Sequence, residues 1–150
     1  MSMLLKAIVV FLSAFVGTFG FALLLQAPRK AWLPASAIGA TAYTFYWVLV
    51  QMGAGETFSI FVSTILGSVL AQFCARKMRM IATIFITLSI IAQVPGLGLY
   101  RCMAFLGQHR YSEAVQVGVS AMMSILMIAL GIAVGSFLFR LIKHILHRRA

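Results

Sequence analysis

Charged residues are scarce in this chain of 150 residues, and acidic residues are almost missing. Only 9% of the residues are charged, and the two acidic ones are Glu56 and Glu113. A soluble domain carries roughly 25% charged residues, so the composition is that of a membrane protein. Because each membrane span takes about 20 residues, five spans would leave no room here for a nucleotide-binding domain.

Residues that commonly carry catalysis or bind metals are equally few. Cys74 and Cys102 lie in different segments, and the three histidines are His109, His144 and His147. None of them forms a nucleophile–base pair or a metal-ligand set by its spacing. His144 and His147 lie three residues apart, as they would in any basic amphipathic tail. We therefore expect no enzyme, no metal site and no cofactor.

Long apolar segments make up most of the chain, since 63% of the residues are hydrophobic. They predict an all-α integral membrane protein with about five transmembrane helices, forming one domain over residues 1–150. The predicted helices are about 4–25, 33–52, 57–74, 80–106 and 113–139, followed by a basic tail at 140–150. Pro34 would lie in the first turn of the second helix, and Ser112 would be the N-cap of the fifth.

The fourth segment is too long for a simple span and contains Pro95-Gly96. As one straight helix it would measure about 40 Å. Proline removes a backbone hydrogen bond and glycine lets the chain bend, so two half-helices, about 80–93 and 97–106, are expected. A single broken crossing is favoured, because a re-entrant hairpin would place the basic tail opposite the basic cluster at 76–79.

Basic residues give the chain a net charge of +10. They lie between the apolar segments, where the positive-inside rule expects them, so the charge does not indicate nucleic-acid binding. One side of the membrane would receive Arg29, Lys30, Arg76, Lys77, Arg79, Arg140, Lys143, Arg148 and Arg149, and the other Lys6, Arg110 and Arg101. This asymmetry predicts an external N-terminus and a cytoplasmic C-terminus.

Small residues recur at four-residue spacing on several helices. The rows are Ser59, Ser63, Gly67 and Ala71; Ala35 and Gly39; and Gly131 and Gly135. In lipid, close backbone contact holds helices together because no hydrophobic drive acts between them. The rows therefore predict helix–helix seams, either within this chain or against a partner.

The break in the fourth segment is the candidate functional site. Irregular backbone at membrane depth is tolerated where it is buried in protein or lines a wet cavity, and transporters bind substrates at such breaks. The predicted substrate pathway comprises Gln93, Pro95, Gly96, Tyr100 and Arg101. An arginine inside the membrane costs about 2.5–3.5 kcal/mol on insertion scales. Pairing of Arg101 with Glu113 or with an anionic substrate would offset that cost, and Glu113 is also a candidate proton site. The alternative is that the Arg101 side chain snorkels to the membrane interface.

A series of short motifs extends over nearly the whole chain. In order they are Gly20-Phe21, Pro28, Gly39, Ala75-Arg76, Pro95-Gly96, Tyr100 and Ser112-Glu113. Their order and spacing resemble the small subunit of split threonine/serine exporters, the YjjB-like proteins. The chain departs from that pattern at Ile81 and Ala92, where prolines are expected, and at Gln93, where the position is usually apolar.

This resemblance implies the C-terminal half of a ten-helix exporter, with a larger subunit supplying a related five-helix half. It implies a multi-pass protein of the bacterial inner membrane that exports threonine and serine, or dicarboxylates such as succinate, using the proton motive force. Gly20, Pro28 and the glycines of the small-residue rows would be structural. Two alternatives stay open. A non-transporting scaffold subunit predicts a break sealed by apolar side chains, and a homo-oligomeric channel would need no second subunit.

Overall fold

The computed structural model describes the backbone of residues 3–148 and the side chains of residues 3–142. This part of the chain forms six helices: α1 (Met3–Leu24), α2 (Arg29–Gln51), α3 (Glu56–Lys77), α4 (Ala82–Ile91), α5 (Gly96–Gly107) and α6 (Tyr111–Arg148). Four helices are long and apolar enough to cross a membrane, and α4 with α5 makes a fifth, bent candidate. The prediction of an all-α membrane protein with about five spans is confirmed.

The break between α4 and α5 lies where Pro95-Gly96 predicted it. The two helices are bent by 57° across residues 92–95. Pro95 directly precedes α5, with φ −75° and ψ 56°, outside the helical region. Because proline has no N–H to continue the helical hydrogen bonds, the helix ends before it and restarts in a new direction.

Contacts between α3 and α6 show how often the chain crosses the bundle. A Cβ added at Gly131 would lie 2.8 Å from Thr64 Cβ, and one at Gly135 would lie 2.8 Å from Ser68 Cβ. Residue numbers rise together along the two helices, so α3 and α6 run parallel. A parallel pair requires α4 and α5 together to carry the chain from one end of the bundle to the other. The fourth segment is therefore one broken crossing.

Helix α3 lies at the centre of the bundle and packs against α2, α4 and α6, while α1 packs on α2 and α5 packs mainly on α6. The helix directions place the α1–α2 and α3–α4 turns at one end, together with the basic residues at 29–30 and 76–79. The α2–α3 and α5–α6 turns lie at the other end. Which end faces the cytoplasm stays a prediction from the charge asymmetry.

The small-residue rows form seams inside this chain. A Cβ added at Gly67 would lie 3.1 Å from Ala42 Cβ, and one at Gly39 would lie 3.0 Å from Thr18 Oγ1. Gly20 differs, because a Cβ there would meet nothing within 4 Å. The helices thus approach each other closely at Gly39 and Gly67, but no neighbour approaches Gly20.

Helix α2 begins earlier than predicted, at Arg29 instead of near Leu33. Pro28 is the residue before its first turn, with φ −56° and ψ 133°, so this proline ends the preceding turn and starts the helix. Pro34 is consequently the sixth residue of α2 and does not lie in its first turn. The hydropathy pattern misses this start because the first turn is basic.

Helix α6 begins at Tyr111, so Ser112 lies inside the helix and is not its N-cap. The helix continues through the start of the predicted basic tail and is described to Arg148. The side chains of residues 143–150, which include the two tail histidines, lie outside the described part of the chain.

Candidate functional site

A cavity of about 610 Å³ opens beside the helix break. Helices α2, α3, α5 and α6 contribute to its wall together with residues 92–95, and it lies in the half of the bundle nearest the α2–α3 and α5–α6 turns. Its polar lining residues are Tyr43, Tyr46, Glu56, Gln93, Arg101, Gln116, Ser120 and Ser124. The volume is within the range of sites that bind small molecules, about 300–1,000 Å³.

Gln93 reaches from the break to the centre of the bundle and is only 7% exposed. Its Oε1 accepts hydrogen bonds from Ser63 Oγ at 2.8 Å and from Thr64 Oγ1 at 2.9 Å. Its Nε2 is buried and has no hydrogen-bond partner among the described residues. Leaving such a donor unpaired costs about 1–3 kcal/mol, so Gln93 carries an unmet hydrogen bond at the inner end of the site.

One carboxylate and one guanidinium line the same cavity. Glu56 is the first residue of α3, and its Oε1 accepts a hydrogen bond from the Tyr46 hydroxyl at 3.3 Å. Arg101 lies in the middle of α5. Neither Glu56 nor Arg101 forms a salt bridge within the described part of the chain. Both charges are therefore available to a molecule in the cavity.

Four of the five predicted pathway residues come together at this cavity: Gln93, Pro95, Gly96 and Arg101 all line it. Tyr100 does not. Its side chain is 71% exposed and lies on a different face of α5 from Arg101, because successive residues of an α-helix point about 100° apart.

The second carboxylate, Glu113, has a different partner from the one predicted. Its Oε1 accepts a hydrogen bond from Arg110 Nε at 2.7 Å, and its Oε2 pairs with Arg110 Nη2. The Arg110 guanidinium also lies over the Phe105 ring, 4.7 Å from its centroid. The two charged residues are three positions apart in the α5–α6 turn, so Glu113 is not the partner of Arg101 in this structure.

Sequence reasoning missed most of the polar lining of this cavity, including Glu56. It also missed the contacts of Gln93 with Ser63 and Thr64. Glu56 stands in a short polar turn, where a carboxylate is expected to face water, so no local signal marks it. Ser63 was interpreted only as a seam residue. Its bond to Gln93 joins positions 30 residues apart, which no sequence spacing predicts.

The chemistry available at the cavity is hydrogen bonding and charge pairing. No group of three or more His, Cys, Asp or Glu side chains that could hold a metal ion occurs among the described residues. Cys74 and Cys102 are free thiols, and neither lines the cavity. The arrangement can therefore bind and orient a small polar molecule.

Comparison with known proteins places this architecture in a family. Searches of curated proteins and of solved structures each gave no significant match. A family model described as "Threonine/Serine exporter, ThrE" matches residues 10–138, which include the broken crossing and every residue that lines the cavity. The chain is thus a multi-pass membrane protein that belongs to the threonine/serine exporter family.

Proposed function

We propose that this chain is the small subunit of a two-component secondary exporter of small amino acids in the bacterial inner membrane, driven by the proton motive force. The observation that carries the proposal is the polar cavity at the helix break of a chain in this family. A scaffold subunit would have its break sealed by apolar side chains. This break instead opens on charged and hydrogen-bonding groups, as transporters require.

The charges of the cavity favour an amino acid over a dicarboxylate as cargo. Glu56 attracts an ammonium group, and Arg101 attracts a carboxylate with paired N–H donors. An amino-acid zwitterion carries both of these charges. A dicarboxylate carries two negative charges and would meet the Glu56 carboxylate in the same cavity, where like charges repel.

A larger subunit with a related five-helix half would complete the transport path. Helix α5 packs mainly against α6, and none of its residues is buried. The cavity wall formed by α5 is therefore thin and leaves surface for a partner to cover. A homo-oligomeric channel would cover it with a second copy of this chain instead.

The test is efflux of labelled serine, threonine and succinate from cells that express this chain with or without a candidate larger subunit from the same organism. We expect efflux of serine and threonine only when both subunits are present, and its loss when a protonophore collapses the proton gradient. Transport by vesicles that hold this protein alone would support the channel. Efflux of succinate without serine or threonine would contradict the charge argument.

Arg101 provides a sharper test of the pathway. Arg101→Lys keeps the charge but loses the paired N–H donors, so we expect it to lower serine efflux several-fold at matched protein levels. Tyr100→Phe is the matched control, because Tyr100 is adjacent on α5 but does not line the cavity. If Arg101→Lys and Arg101→Ala both export at the wild-type rate, Arg101 only snorkels to the membrane interface.

A further inference from the structure

We propose that the cargo carboxylate binds at the inner end of the cavity, between the Gln93 side-chain amide and the N-terminus of α5. This proposal rests on the proposed function and assigns one part of the cargo to one set of donors. It places the anion site at the break itself, as a second, inner position for the carboxylate that is distinct from the outer position beside Arg101 and deeper in the bundle than Glu56.

The depth follows from the position of Gln93 against α3. Its amide contacts Ser63 and Thr64, seven and eight residues beyond Glu56 on the same helix. At about 1.5 Å per residue, the amide lies roughly 10–12 Å further along the bundle than the start of α3. Glu56 is thus near the mouth of the cavity, and Gln93 is at its inner end.

The first turn of α5 supplies unused backbone donors. Its cap residue is Pro95, and no side chain caps it. The Gly96 N–H donates to the Val94 carbonyl oxygen at 2.8 Å, whereas the N–H groups of Leu97 and Gly98 form no backbone hydrogen bond within the described residues. Both residues line the cavity. Free N–H groups and the helix dipole make such a helix start a favourable place for an anion.

The Gln93 amide provides a second, independent donor. Oε1 lies 2.8 and 2.9 Å from the hydroxyl oxygens of Ser63 and Thr64, and Nε2 is the end of the amide that is buried and has no partner among the described side chains. Gln93 and the first turn of α5 are separated only by residues 94–95 and line one cavity. A carboxylate has two oxygens and can accept from the amide and from the backbone N–H groups together.

Two substitutions at Gln93 test the amide. Gln93→Met keeps the length of the side chain without a donor, and Gln93→Glu replaces the donor with a negative charge. Hydrogen bonds to charged groups are the stronger class, so we expect both variants to lower serine efflux about tenfold or more. Gln72→Met is the control for losing a glutamine, because Gln72 bonds to Ser136 and lies outside the cavity.

A pair of substitutions at Gly96 tests the helix N-terminus. A Cβ there meets nothing within 4 Å, and an acidic residue in a first turn favours the helix, so Gly96→Asp should fold. Its carboxylate would occupy the anion site and abolish serine efflux, whereas the neutral Gly96→Asn should keep most of it. Purified wild-type protein should also be stabilised against heat by L-serine and not by L-serinamide, which lacks the carboxylate.

The outcomes separate this proposal from the proposed function. Suppose that the wild-type complex exports serine. An unchanged efflux rate in Gln93→Met, or equal efflux rates in Gly96→Asp and Gly96→Asn, would then overturn the anion site and leave the proposed exporter function intact. Retained export by Gln93→Glu with loss in Gln93→Met would show that an acceptor is needed, which also overturns it. If the wild-type complex exports no amino acid, both proposals fail.

Discussion

Replacing Gly131 with alanine should destabilise the bundle, whereas the same substitution at Gly20 should not. A Cβ at position 131 would lie 2.8 Å from Thr64 Cβ and 3.1 Å from the Phe61 carbonyl oxygen. Carbon atoms pack best at about 3.5–4.0 Å, and neither contact is with the end of a flexible side chain. Helix α6 would therefore have to move roughly 1 Å away from α3.

The two variants share one energy term and differ in the other. Glycine to alanine in a helix interior gains about 1 kcal/mol of helix propensity at both positions. Overpacking costs about 1–3 kcal/mol and applies only to position 131, because a Cβ at Gly20 meets nothing within 4 Å. The difference between the variants is therefore the overpacking cost. At about 2–4 °C per kcal/mol for chains of this size, their melting temperatures should differ by about 2–12 °C.

The assay is thermal unfolding of each purified variant in the same detergent, followed by the loss of the monodisperse peak in size-exclusion chromatography. Gly135→Ala should behave like Gly131→Ala, since its Cβ would lie 2.8 Å from Ser68 Cβ. Equal melting temperatures for the Gly20 and Gly131 variants would refute the parallel seam between α3 and α6.

Three further predictions concern the charges and the topology. Glu56→Gln should lower serine and threonine efflux several-fold. Tyr46→Phe should lower efflux less, because this substitution removes only one hydrogen bond to the Glu56 carboxylate. Wild-type efflux rates in both variants would show that Glu56 is not part of the pathway. Glu113→Gln should leave efflux unchanged. It should lower the free energy of unfolding by less than about 1 kcal/mol, since the pair of Glu113 with Arg110 is solvent-exposed. A large loss of efflux would contradict the position of Glu113 outside the cavity. A reporter fused to the C-terminus should behave as cytoplasmic and a tag before Lys6 as external; the opposite result would reverse the predicted orientation.

Local properties of the chain were sufficient to predict its spans and its break. Each long apolar segment became a helix, because a helix satisfies its own backbone hydrogen bonds in lipid. Pro95 placed the break correctly, since the loss of an N–H acts on the residues next to it. The charge asymmetry favoured one broken crossing, and the parallel contacts between α3 and α6 agree with it.

The sequence by itself determined where each helix lies along the chain, and only the tertiary structure decided which face of each helix is turned inward. In lipid the outer face of a helix is as apolar as its inner face, so hydropathy does not tell them apart. Glu56 and Glu113 both stand near helix starts, yet one lines the cavity and the other pairs with Arg110. Gln93 acquires its role from hydroxyls 29 and 30 residues away. Such contacts depend on how whole helices pack, because packing brings together residues that no spacing along the chain connects.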